Sequence, residues 1–404
     1  MRTRAAIGLG TILIALAGTL LFGLAVKASC ADGLWTDLKQ YRLLCYSDVV
    51  PLYGTERLQG DRLPFVDDCH ANDATNPCDE YPVLTMYTMR LAAWASHSYA
   101  SFFFWNAVFL SIAAGVTAFL LYRMTGPRAL YFALAPTLLL YAFMNWDLIA
   151  VAFATAATYW FLRKRDVASG IMLGLGAATK LFPVLLLVPF AAERLRRKDP
   201  RGAVNVIAAT GVSWLVVDLP FMVTRFHEWF FFFHHNAWRP ADWDSLWFIA
   251  CSPGQTHGCS SSGFVNAFSV LAFVVVAVVA WVAKVARQPD TPRWQLGFPI
   301  LVAFLLTNKV YSPQYGLWLL PWFALVLPDL RLFVAFEAAD VAVFVTRFAF
   351  FGHLAGGPNG WTGAFSIGWF QLAVVARALV LVLCVVRFVR REPIGARAPV
   401  MVNA

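Results

Sequence analysis

The chain has 404 residues, 60% of them hydrophobic and only 14% charged, with a formal net charge of +9. A soluble globular protein carries roughly 25% charged residues, and apolar runs recur here from end to end, so a soluble domain with a single anchor is excluded and a polytopic membrane protein is expected. The basic residues lie in separate loops rather than on one soluble face, which excludes nucleic acid as a partner.

The first apolar run, about 5–27, follows Met-Arg-Thr-Arg. Its length predicts a retained span rather than a cleaved leader. Residues 28–98 then form a long outer segment, acidic through Asp61–Glu80, with turn signals at Gly60-Asp61 and Asn76-Pro77. Its last part, 81–99, has a roughly helical period broken by Arg90, which predicts an amphipathic helix along the interface. Spans are expected at about 101–122, 129–144 and 148–162, with Asn145-Trp146-Asp147 as a short outer turn.

Residues 167–192 are apolar with basic clusters at both ends, interrupted by Gly174, Gly176, Lys180 and Pro183. A single span would put one basic cluster outside. A hairpin of two half-helices, each rising roughly 18 Å at 1.5 Å per residue, keeps both inside. Irregular backbone at that depth is tolerated where protein buries it. Further spans are expected at about 203–222, 264–283, 296–307, 315–327, 332–350 and 367–389. A large outer loop, 223–263, and a basic tail, 390–404, complete the chain. Counting the hairpin twice gives about twelve segments, an all-α membrane domain with both termini inside.

The charge pattern orients it. Arg123, Arg128, residues 163–165, the cluster 194–201, Lys284, Arg287 and the tail fall on one side, the positive-inside signature of the cytoplasm. Six of the seven cysteines (Cys30, Cys45, Cys69, Cys78, Cys251 and Cys259) fall on the other. An even set on an oxidising face reads as disulfides, with Cys69–Cys78 and Cys251–Cys259 as the local pairs and Cys30–Cys45 left over. No zinc spacing is present, and no metal or cofactor is expected.

The unusual polar residues gather on that outer side. In Cys45-Tyr-Ser-Asp-Val-Val-Pro-Leu-Tyr53, Asp48 is placed as a general base beside the bilayer. Its competing role is to cap the helix that follows. Lys309, Lys180 and Arg239 are candidates for a lipid phosphate. The competing roles are headgroup contact for Lys309, pairing with Asp147 for Lys180, and pairing with Asp242 or Asp244 for Arg239. Tyr53, Tyr81, Asn145, Trp146, Asp147, Tyr311, Gln314, His234 and His235 are candidate sugar or acceptor contacts. Glu337 and Asp340, one helical turn apart, read as a buried network neutralised by Arg347 or Arg377. No Walker, GxGxxG or HExxH motif occurs, so an activated substrate on the outer face has to be lipid-borne.

The passages CYSDVVPLYGTERLQGDRLPF, EYPVLT, MNWDLIAVAF, ASGIMLGLGAATKLFPVLLLVPF and TNKVYSPQYGLWLLPW, in this order, resemble the GT-C membrane glycosyltransferases, specifically family 87. The resemblance implies the GT-C fold and a polyprenyl-phosphate sugar donor, with mannose as the expected sugar. It also implies a glycolipid or envelope-glycan acceptor at the plasma membrane and an inverting transfer whose base, by position, is Asp48. A transporter or flippase of lipid-linked sugars is the alternative. It would need access from both faces and internal repeats, whereas the polar clusters here lie on one side.

Overall fold

The computed structural model describes residues 7–67, 78–251, 262–356 and 360–394. The fold is 77% helix and, among the described residues, contains no strand. Among the described residues, five helices are long and apolar enough to cross a membrane: Leu9–Ala28, Tyr99–Ala133, Pro200–Thr224, Gly263–Arg287 and Ile367–Arg390. Their outward faces carry large apolar side chains such as Leu21, Ile112, Val216, Val279 and Leu379, all exposed, as expected where lipid is the solvent.

A sixth long helix, Leu330–Gly356, is largely buried along one face, and most of the remaining segments are short. The span expected at 129–144 is broken: Leu130–Ala133 ends, Ala135 is extended, and Pro136 opens the helix Pro136–Tyr141. Proline lacks the N–H that would continue the first helix and disfavours helical backbone in the residue before it. The span expected at 315–327 is likewise a 3-10 turn, Pro313–Trp318, followed by Leu320–Leu325. Leu138, Tyr141, Phe143, Leu317, Leu319 and Phe323 are buried, so this irregular backbone is enclosed by protein.

The 167–192 segment goes in and returns. Helix Asp166–Thr179 stops at Lys180, a 3-10 turn spans Phe182–Leu186, and helix Leu187–Arg196 runs back. Arg194 near its end donates to Asp166 (2.7 Å) and to the Phe161 carbonyl (2.7 Å), tying the two mouths of the hairpin together. Gly174 and Gly176 do not break the helix, contrary to the sequence-based expectation; the break falls at Lys180 and Leu181. The role of glycine here is close approach. A Cβ on Gly170 would lie 2.5 Å from the Val206 carbonyl oxygen, and one on Gly174 1.9 Å from Ser213 Oγ. Gly170 and Gly174 are four apart, on one face, and let Asp166–Thr179 pack backbone to backbone on Pro200–Thr224.

The described parts of the segment expected on the outer face, 28–67 and 78–98, form short helices such as Lys39–Arg42, Val49–Thr55 and Val83–Trp94. Cys30 and Cys45 are bonded, with Cα atoms 5.7 Å apart. Cys78 and Cys251 are also disulfide-bonded. Cys69 and Cys259, their expected partners, lie outside the described residues, as does the tail from 395. Replacing Cys30 and Cys45 with Ser opens a loop of 15 residues and is expected to cost about 3 kcal/mol by chain entropy. Thermal unfolding of the double variant in detergent measures it.

Candidate active site

Asp48 is fixed by its neighbours. Ser47 Oγ donates to the Phe143 carbonyl (2.7 Å) and accepts from the Val49 N–H (3.2 Å). The Asp48 N–H donates to the Met144 carbonyl (2.9 Å). Helix Val49–Thr55 follows, and the Asp48 side chain makes no capping hydrogen bond to it. The capping role therefore goes to Ser47, and the Asp48 carboxylate is left for the cavity. It accepts from Asn145 Nδ2 (2.9 Å), and the Tyr46 hydroxyl favours its charged form. Burial pushes its pKa up. Asn145, Tyr46 and the charges of Lys180 and Arg347 oppose that shift.

The cavity it faces has a volume of about 670 Å³. Lys180, Arg239 and Lys309 share its wall, with Glu80, Tyr81, His235, Asn308, Gln314 and Arg347. Lys309, in the turn after helix Gly297–Thr307, donates to the Ala237 (2.9 Å) and Arg239 (2.8 Å) carbonyls. An ammonium has three N–H groups, so one remains. Burial first, and then the charge of Arg239, lower its pKa. Arg239 makes no ion pair among the described residues. Its loop acids are taken by others: Asp242 and Asp244 both pair with Arg347, and Asp244 also lies 3.7 Å from Arg377. Lys180 sits at the tip of the hairpin, 2.7 Å from Asp147. Its ammonium lies 5.2 Å from the Tyr315 ring centroid.

Residues 80–313 match the sequence profile of glycosyltransferase family 87. The chain belongs to glycosyltransferase family 87. No curated protein matches it. Membership in family 87 makes the protein a membrane glycosyltransferase, and several apolar helices long enough to span agree with that. The matched stretch takes in Glu80, Tyr81, Asn145, Lys180, Arg239 and Lys309, while Asp48 and Arg347 lie outside it.

For a family 87 enzyme, several candidate sugar contacts have other occupations. The Asn145 amide nitrogen donates to Asp48 and to the Tyr81 hydroxyl (2.8 Å), and its oxygen accepts the Trp146 N–H (2.7 Å). Asn145 lines the cavity, with both amide hydrogens engaged in holding the carboxylate and Tyr81. Because the Tyr81 hydroxyl accepts from Asn145, its own proton is free for the cavity. Trp146 is not a stacking platform: it is fully buried and donates to Asn106 (2.7 Å). Asp147, also fully buried, accepts from Lys180 and from Trp318 Nε1 (2.7 Å).

Tyr53 sits on the helix Val49–Thr55 that follows Asp48, buried and stacked on Phe102, with its hydroxyl donating to the Ser96 carbonyl (3.3 Å). Tyr311 is buried beneath the Arg377 guanidinium, 3.7 Å from ring centroid to carbon. His234 is exposed beside Trp238, on another face from His235. None of these lines the cavity. Gln314, His235 and Tyr81 do.

The structure also brings in residues that sequence reasoning missed. Tyr41 and Tyr46 form an aromatic wall with Phe348, ring centroids 5.1–6.2 Å apart. Glu80 adds a carboxylate beside Asp48 and Asp242. The buried network forms with Arg377, one of the two expected cations, while Arg347 goes elsewhere. Arg377 pairs with Asp340 (3.2 Å), Glu337 accepts the Thr137 N–H (2.7 Å), and Arg347 serves the 242–244 loop. Tyr46 had a signal, two residues before Asp48. Arg347 had none beyond a cation in an apolar run.

Proposed function

We propose that the protein moves a sugar, with mannose as the expected one, from a polyprenyl-phosphate donor to a lipid-linked or glycan acceptor at the outer leaflet, inverting the anomeric centre. The observation that carries this reading is one cavity holding an anchored carboxylate, Asp48, together with a guanidinium, Arg239, that has no ion pair among the described residues, and an ammonium, Lys309, with one N–H left over.

The acceptor hydroxyl gives its proton to Asp48 as its oxygen bonds to the anomeric carbon. The bond from that carbon to the phosphate oxygen breaks, and its electron pair leaves with the lipid phosphate. Lys309 and Arg239 receive the developing anion. A second carboxylate acting as nucleophile, as in retaining glycosidases, is not needed because phosphate departs as a stable anion. The cavity lies on the same side as the bonded Cys30–Cys45 and Cys78, which supports an extracytoplasmic site. The wider reading is a GT-C domain in the plasma membrane, with about twelve segments once the short buried ones are counted and both termini cytoplasmic.

Purified protein in lipid nanodiscs, supplied with polyprenyl-phosphate mannose and an envelope lipid extract, tests this. A new glycosidic product of inverted configuration is expected. Movement of the intact donor across sealed vesicles with no glycosidic product would instead make it a flippase.

The pH profile follows from the same groups. Asp48 works ionised, and its raised pKa makes activity climb with pH through a value above the usual 3.8. Lys309 works protonated, and its lowered pKa makes activity fall through a value below the usual 10.5. A bell-shaped kcat/KM profile narrower than these limits is expected. Lys309→Arg should move only the alkaline limb, upward.

A further inference from the structure

A buried polar cluster outside the cavity holds residues 79–82 in place. Glu56, fully buried, accepts the N–H groups of Asp79 (2.7 Å) and Glu80 (3.2 Å). Arg62 donates to the Asp79 carboxylate (2.6 Å) and to the Glu56 carbonyl (3.1 Å), and Asp79 also accepts the Phe65 N–H (3.2 Å). Asp79 itself has φ of +63°, in the left-handed region. That conformation is unfavourable for a residue with a Cβ and persists where surroundings impose it. Glu56, Arg62 and Asp79 do not line the cavity. Glu80, Tyr81 and Pro82, which leave this turn, all do.

Tyr81 has its use in the bond to Asn145. Glu80 has none in the protein: among the described residues its carboxylate has no hydrogen-bond or ion-pair partner. A free anion in a cavity that receives a phosphate weakens phosphate binding, so phosphate does not explain it. Glu80 shares the cavity wall with Arg239 and Asp48, and the charges of both act on it. On the proposed reading these are the phosphate site and the base. What lies between the leaving phosphate and the base is the sugar ring being transferred.

We infer that Glu80 binds hydroxyls of the transferred sugar and sets which sugar the enzyme accepts, and that Glu56 is its positioning residue. The inference rests on the proposed donor. A carboxylate offers two oxygens and about four lone-pair sites, enough for neighbouring ring hydroxyls. A site built to bond a hydroxyl discriminates strongly against an analogue lacking it.

The test compares two probes in nanodiscs, undecaprenyl phosphate and undecaprenyl-phosphate mannose, with binding followed through tryptophan fluorescence, since Trp318 lines the cavity. Wild type should prefer the sugar-bearing lipid. Glu80→Ala should lose roughly 10- to 100-fold in affinity for it. Its affinity for undecaprenyl phosphate should stay or rise, which also shows that the variant is folded. Among single-deoxy mannosyl lipids, at least one should bind wild type and Glu80→Ala alike.

Equal loss for both lipids would make Glu80 structural and overturn the inference, and so would no loss for either. Wild type that binds both lipids equally overturns it while leaving the phosphate site standing. Wild type that binds neither overturns the donor reading and this inference with it.

Discussion

Replacing Asp48 with Asn lowers sugar transfer by about 10²- to 10⁴-fold, the usual contribution of a positioned general base, and leaves donor affinity within a few-fold. The loss falls on kcat because the carboxylate takes its proton only as the acceptor attacks. Folding is preserved: the Asn side chain can still accept from Asn145 Nδ2, and the bonds from Ser47 Oγ and the Asp48 N–H to the carbonyls of residues 143 and 144 do not involve the carboxylate. Undiminished transfer by the folded variant would overturn the assignment. Asn145→Ala separates positioning from chemistry. Its hydrogen bond favours the charged form of Asp48, so its loss moves the acid limb of the pH profile upward. It also costs kcat, because both Asp48 and Tyr81 lose their tether.

Much of the architecture is legible because it follows from local rules. Apolar runs mark the long helices, and basic flanks at both ends of 167–192 require a return. The gathering of Asp48, Lys180, Arg239 and Lys309 at one cavity follows from the expected clustering of the unusual polar residues in one layer. Where expectation fails, the deciding contact is distant in sequence. Asn145 and Trp146 look like sugar contacts in a polar turn. Only the approach of Tyr81, Asp48 and Asn106, from 40 to 97 residues away, uses up their polar atoms. Pro136 signals a break, yet an apolar window cannot tell a short buried segment from a span. Glu80 sits in a recognisable passage, but its importance comes from a clip by Glu56, 24 residues earlier. Charged pairs are the least legible: Arg347 and Arg377 could each serve several acids, and side-chain geometry alone divides them.

The pair at the hairpin tip gives the second large effect. Asp147 is fully buried, and its carboxylate holds the Lys180 ammonium and the Trp318 indole N–H at 2.7 Å each. Asp147→Ala leaves a partly buried ammonium with ring faces as its remaining neighbours. A cost of about 3–5 kcal/mol is expected for an ion stranded in this way, read as a lower unfolding temperature in detergent. Adding Lys180→Met removes the stranded charge, and the double variant should recover most of that loss, since apolar replacement of a buried pair is often near neutral. Transfer then discriminates between the two roles of Lys180. As a partner for Asp147 alone, its removal in the double variant would restore activity along with stability. But Lys180 lines the cavity, and its single hydrogen bond to Asp147 leaves two N–H groups for a ligand. The expected result is therefore a stable double variant whose donor KM stays raised, placing Lys180 beside Lys309 and Arg239 at the lipid phosphate.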